Sequence, residues 1–244
     1  STWAMPVGGG EYIEGMTGQP TLINPVLATS EIDRSLVRLI FSRLGDIALK
    51  IERGENNDWK IRIKEGIVWS DGEKLTSDDI IFTIQRIQDQ DARSPLYYKF
   101  QDVKMNRLSE LEIQIKSEQP VATFLKNLDN LYILPKHIFG DVPTLNWRIS
   151  DYNLSPIGSG IFKFVNFKKG RDGFIGDYQL EINENYSGNG ALIKNFIFKF
   201  FRDRESLVQA FNRGVIDGIG GLEPEELTEI KHPSQEIKFK STGY

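Results

Sequence analysis

Ile63-Lys64-Glu65-Gly66-Ile67-Val68-Trp69-Ser70-Asp71-Gly72-Glu73-Lys74-Leu75-Thr76-Ser77-Asp78-Asp79-Ile80-Ile81-Phe82-Thr83 carries the clearest local instructions in the chain. It opens on the end of an alternating run, Trp59, Ile61 and Ile63 against Lys60, Arg62 and Lys64, which is the period-two pattern of a strand with one dry face. Asp71-Gly72 then predicts a tight reversal, because glycine accepts the backbone angles that a turn demands. Thr76 to Asp79 predicts a helix start, with the Thr76 hydroxyl accepting an orphan amide and two acids in the first turn at the positive end of the dipole. Ile80, Ile81, Ile84 and Ile87 supply that helix with an apolar stripe.

Toward the N-terminus, Glu11 to Gly15 alternates as a short strand and Thr17-Gly18-Gln19-Pro20 has loop composition. Leu36, Val37, Leu39, Ile40 and Leu44 recur at helical spacing, which predicts a helix from Asp33 to Leu44. Gly54 to Asp58 reads as the turn of a hairpin between Ile47 and Lys64. Ser1 to Gly10 reads as an appended remnant or the end of a tether.

Toward the C-terminus a second hairpin, Asp102–Arg107 with Leu111–Lys116, precedes a short helix opened by Pro120. Gly140 to Asn153 is rich in turn formers and aperiodic, so it reads as a connection between subdomains. Strands are expected at Phe162–Val165, Tyr178–Ile182, Asn195–Phe201 and Val215–Ile219. Asp203 should cap a helix that Gly214 ends, Pro224 should open another, and Glu236–Lys240 is a last strand candidate.

The chain has 244 residues, 39% of them hydrophobic, with 30 basic and 34 acidic side chains. That suffices for a substantial core, and with neither sign gathered into a block no nucleic-acid partner is expected. The absence of cysteine removes disulfides, thiolate nucleophiles and Cys-ligated zinc together. No run approaches the ~18 apolar residues of a membrane helix, and the expectation is a chain whose signal peptide has been removed.

Proton-exchanging and nucleophilic groups are sparse. His137 and His232 are the two histidines, neither with partnered spacing, and no Gly-x-Ser-x-Gly elbow or His-x-x-x-His pattern is present. The pairs Asp78-Asp79 and Glu225-Glu226 fall in first helical turns, where they serve the dipole better than an acid–base reaction. Tyr97-Tyr98, beside Ser94-Pro95, and Tyr132 lie in or near loops, where a ring either lines a ligand groove or covers an edge of the domain. No cofactor, metal or catalytic residue is expected. These residues alone indicate a mixed α/β protein and leave the substrate open.

Taken in order, the motifs resemble those of the extracellular solute-binding proteins of family 5, which serve ABC importers of peptides, nickel and other solutes. The resemblance rests on the segment from Ile63 to Thr83 together with Thr17–Pro20, Asn24-Pro25, Ile133–His137, Pro156–Lys163, Asn183–Tyr186 and Phe200–Asp217. It covers nearly everything from Glu11 to Lys240. It implies a periplasmic-binding-protein-like lobe of type II with an inserted subdomain, 11–45 plus 153–244 enclosing 46–152. The chain ends where members of the family cross into a second lobe, and a stretch usual in the family before Asp46 is either shortened here or omitted from the sequence.

The resemblance further implies reversible binding of a peptide or small solute between two lobes, delivery to a membrane permease, and a periplasmic or extracellular location, with a lipid anchor as an option. Its groove-wall positions fall on Met16, Thr17, Gln19, Tyr97, Tyr98, Ser159 and Gly160. Packing or turn geometry is the alternative role for each. A receptor or interaction module on the same scaffold is the rival to transport, and a hydrolase is a third option that lacks a nucleophile–base pair.

Overall fold

Two sheets of opposite character build the protein. In the computed structural model the described residues are 10–186, 188, 191 and 193–220, with the paired backbone of Thr2–Trp3 (β1) and Ile237–Lys238 (β11) in addition. The expected helix after Pro224, and His232, lie outside the described residues.

The first sheet is centred on Glu11–Thr17 (β2). Asn195–Phe201 (β9) and Gly218–Ile219 (β10) flank it, both parallel to it. Ile175–Ile182 (β8) and Phe162–Lys169 (β7) continue outward antiparallel, giving the order β10-β2-β9-β8-β7. Strand alternation sorts the residues by face. Tyr12, Glu14 and Met16 pair with Phe196, Phe198 and Phe200, all buried, and the rings of Tyr12 and Phe196 meet edge to face at 5.3 Å. Ile13 and Phe201 instead join a smaller cluster with Leu207, Ala210 and Ile216. Gly15 lacks the Cβ that would collide with Leu207 and Ile216, so the helix Arg204–Asn212 (α7) packs directly on β2.

The second sheet falls, in the chain, between β2 and β7. Ala48–Arg53 (β3), Asp58–Ile63 (β4), Lys104–Ser109 (β5) and Glu112–Lys116 (β6) form an all-antiparallel sheet, order β3-β4-β6-β5. Trp59, Ile61, Ile63, Ile113 and Ile115 make its dry face. On its wet face Glu112 receives Lys60 at 3.2 Å and Arg62 at 3.6 Å. Helix Ser77–Gln88 (α3) covers the dry side with Ile80, Phe82, Ile84 and Ile87, and Phe124 of helix Val121–Asp129 (α5) meets Trp59 at 6.2 Å between centroids. Thr76 caps α3 as expected, and Asp79 answers from its side chain by accepting the Thr76 N–H at 2.9 Å, a reciprocal box.

One continuous core unites the two sheets. At their junction Ser70 donates its N–H to the Gly158 carbonyl at 2.8 Å, and Trp69 beside it is fully buried.

Two expectations require correction. The helix predicted from Asp33 to Leu44 spans Glu31–Ile40 (α1), with Ser30 accepting from the Asp33 amide as cap. Its end comes early because the following backbone turns to other partners: Arg43 bridges Tyr132, the Leu44 N–H reaches the Leu131 carbonyl, and a separate turn, Leu44–Ile47 (α2), begins. The segment 140–153, read as a loose connection, contains the 3-10 turns Thr144–Ile149 and Asp151–Asn153 and is pinned by fully buried Trp147, whose Nε1 donates to Val142 at 2.9 Å. Aperiodic sequence there reflects a single large anchor in place of a repeating face.

Candidate functional site

A cleft of about 520 Å³ opens where the carboxyl ends of the three parallel strands stop. Gly15 to Gln19 from β2 and Ile219-Gly220 from β10 form its floor, and Ser30–Ile32 at the start of α1 and Arg204 with Leu207 of α7 form its walls. Strand order dictates this position. Chains leaving β2 and β9 depart in different directions, to α1 and to α7, and leave a crevice outside the strand ends, the usual ligand site of such sheets. Two helix N-termini border the cleft, each capped by its own side chain, Ser30 on α1 and Asp203 on α7. The Ser206 amide holds the Asp203 carboxyl below the usual carboxylate range.

The lining suits a small polar organic solute. Met16, Ile32, Leu207 and Ile219 are apolar, Gly18 and Gly220 add no side chain and bond their N–H groups within the protein, to Phe201 and Gly15, and Thr17, Gln19 and Ser30 offer uncharged polar groups, with Glu31 and Arg204 as the charges. Gly18 has φ +108°, a conformation that glycine adopts freely, and its N–H donates to the Phe201 carbonyl at 2.8 Å.

Three of the seven predicted positions, Met16, Thr17 and Gln19, come together in this cleft. Gln19 also does something the sequence did not suggest: its Oε1 accepts the Ile175 N–H at 3.0 Å. Tyr97 and Tyr98 do not line the cleft. They stand in the short helix Tyr97–Phe100 (α4), edge to face at 5.3 Å, with Tyr98 80% exposed. Ser94 just before them donates its hydroxyl to the Val26 carbonyl at 2.6 Å, tying their loop to the segment that leads into α1.

Ser159 and Gly160 do not line this cleft. Ser159 is 2% exposed and its carbonyl accepts the Ser42 hydroxyl, while the Gly160 N–H donates to Ile40 at 2.8 Å. A Cβ at Gly160 would lie 2.7 Å from the Ile40 carbonyl carbon. This glycine allows two backbones to touch, which is the packing alternative to a groove role.

Sequence reasoning missed Ser30, Glu31 and Arg204. The available signal was the pair of cap patterns Ser30-x-x-Asp33 and Asp203-x-x-Ser206, each following a strand that ends at the same edge of the sheet. Their convergence needed the parallel pairing of β2 and β9, whose strands lie far apart in the sequence.

A second cluster gathers around α3 and the helix Lys136–Phe139 (α6). The Asp79 carboxylate accepts the Thr76 and Lys136 amides, each at 2.9 Å, and burial pushes its pKa up against the pull of those bonds, the Trp69 indole and the nearby His137. His137 Nε2 lies 2.6 Å from Asp71 Oδ2. Among the described residues no group of His, Asp and Glu has the make-up of a metal site.

A mixed sheet with its cleft at the parallel strand ends, continued by a smaller antiparallel sheet, is the architecture of a lobe of the periplasmic-binding-protein type. The chain belongs to the bacterial extracellular solute-binding proteins, family 5, whose model matches residues 23–244. It is 28% identical over 226 residues to the oligopeptide-binding protein AppA of Bacillus subtilis, covering 87% of this chain and 41% of AppA. The crystal structure of that AppA with a nonapeptide superposes with a TM-score of 0.77 at 27% identity, over 87% of this chain and 44% of AppA. The substrate-binding protein CtaP of Listeria monocytogenes matches with a TM-score of 0.75 at 28% identity, over 86% of this chain and 44% of CtaP. NikZ of Campylobacter jejuni, solved with Ni(L-His), gives 0.73 at 26%, over 84% of this chain and 42% of NikZ. The chain thus spans less than half the length of these relatives.

Proposed function

We propose that this chain forms one wall of the ligand cleft of an ABC-importer binding protein, which takes up a peptide or related small solute reversibly and delivers it to a membrane permease. The observation that carries the reading is the cleft at the ends of β2, β9 and β10, lined by glycines, uncharged polar groups and a few apolar side chains. Such a surface meets an extended ligand through main-chain hydrogen bonds and leaves side-chain identity loosely specified. AppA with its nonapeptide supports peptides as the first class to test, and NikZ supports keeping metal chelates in the panel.

One open wall buries only part of a guest, so tight binding requires a second lobe that closes by hinge motion. In this reading 11–45 with 153–244 form the cleft-bearing subdomain and 46–152 an inserted one, with Tyr97 and Tyr98 as aromatic positions at its margin. The protein catalyses nothing, and its place is periplasmic or extracellular.

Native mass spectrometry of the full-length protein as purified tests this directly. A retained peptide or chelate, lost on partial unfolding, is the expected result. A ligand-free protein that binds no member of a peptide panel but retains a stable protein partner would favour an adaptor.

A further inference from the structure

Four attachments fix the loop that forms the cleft floor. β2 pairs with β9 as far as Thr17 opposite Phe201, and the Gly18 N–H continues the ladder to the Phe201 carbonyl. Beyond this the loop leaves the sheet, and two side chains take over. Gln19 Oε1 accepts the Ile175 N–H at 3.0 Å, tying the loop to the start of β8. Asp33, in the first turn of α1, accepts the Thr21 N–H and hydroxyl, each at 2.9 Å, and the Leu22 N–H at 3.0 Å.

Asp33 is 1% exposed, and no cation pairs with it among the described residues. A buried carboxylate without a counter-ion is held by what hydrogen-bonds to it and by the positive end of its helix. Those groups belong almost entirely to the cleft loop. The charge is felt beyond it: burial and the Asp33 charge together raise the pKa of Tyr178, whose hydroxyl donates to Leu154 at 2.7 Å. A simple helix cap would need one acceptor contact to the backbone of its own helix. Asp33 instead directs both oxygens outward to the strand of chain that follows Gln19.

Resting on the function proposed above, we infer that Gln19 and Asp33 are positioning residues, which set the shape of the Met16–Gln19 floor before ligand arrives without contacting it through their clamping oxygens. A floor fixed in advance removes an ordering cost from binding; a loosened one lowers apparent affinity by the fraction of molecules in the competent shape.

The experiment uses the full-length protein, a random nonapeptide pool as probe, and two readouts: amide hydrogen exchange without ligand, and calorimetric affinity. Gln19→Met keeps length and loses the acceptor; Gln19→Glu keeps an acceptor oxygen in place. Asp33→Asn turns an amide group toward donors, and Thr21→Val, which removes only the hydroxyl, serves if Asp33→Asn does not fold. Gln19→Met is expected to speed exchange at Ile175 and Gly18, Thr21→Val at Thr21 and Leu22, and each to weaken binding about tenfold. Gln19→Glu is expected to hold exchange at Ile175 and Gly18 at the wild-type rate and to bind more tightly than Gln19→Met.

Gln19→Glu binding as weakly as Gln19→Met would make the side chain a ligand contact and overturn the inference. Faster exchange with unchanged affinity would overturn it too, leaving the clamps purely structural. Failure of the wild type to bind any peptide refutes the function, whereas unaltered exchange at Ile175 in Gln19→Met refutes the clamp on its own.

Discussion

Nε2 of His137 lies 2.6 Å from Oδ2 of Asp71, so the turn before α3 is tied to the first turn of α6 across 66 positions of sequence. Both groups are about 70% shielded, and the His137 ring also faces Trp69 at 6.1 Å. Asp71 therefore does more than reverse the chain: with Ser70 bonded to Gly158, its turn joins three segments. His137→Gln, which keeps a hydrogen-bond donor at similar reach, should cost little, whereas His137→Ala should cost about 1 kcal/mol. Urea unfolding measures the difference, and equal midpoints for the two variants would show that the contact contributes nothing.

Gly160→Ala should destabilise by about 3 kcal/mol, because the new methyl meets the Ile40 backbone, which cannot yield as a side-chain tip can. For a chain of this size that is a drop in Tm of roughly 6–12 °C. Differential scanning calorimetry decides it. A normal Tm with impaired ligand binding would restore Gly160 to the groove.

Tyr98→Ala should leave stability within about 0.5 kcal/mol of the wild type, since the ring is 80% exposed. If the proposed groove extends from the cleft to Tyr98, the substitution should weaken peptide affinity in the full-length protein. Unchanged affinity would assign the Tyr97–Tyr98 pair to surface packing alone.

Acid should weaken the inserted sheet through Asp102. Burial raises its pKa, but bonds from Gln119, the Glu118 amide and Ser117 outweigh burial and leave it below the usual carboxylate range. A depressed folded pKa gives stability that is present above the unfolded value and lost as the pH falls through the folded one. Asp79 has the opposite sign: its raised pKa means that its contribution is largest in acid and is lost as the pH rises through the folded value. Asp102→Ala should therefore flatten the loss of stability below about pH 4, measured by urea titration between pH 3 and 7. An acid slope identical to the wild type would exclude Asp102 as a source.

Local rules made much of the scaffold legible. The alternation around Ile61, the Thr76–Asp79 box and the Asp203 cap each depend on neighbours a few residues apart, and each forms where expected. The early end of α1 was hidden because its cause is the backbone of Leu131 and Ile133, far along the chain. The same holds for the site. Met16, Thr17 and Gln19 sit on one continuous segment and were found together, while Ser30 and Arg204 join them only through the parallel pairing of β2 with β9. Ser159 and Gly160 show the converse, since a glycine needed for a close approach looks the same in sequence as one that bares backbone to a ligand.

Titration calorimetry with a peptide pool, run on the full-length protein and on residues 1–244 side by side, tests the one-wall account most directly. The account predicts saturable, stoichiometric heat from the full-length protein and affinity weaker by at least about a hundredfold for the single lobe, which leaves much of a guest in water. Equal affinity from residues 1–244 alone would contradict it.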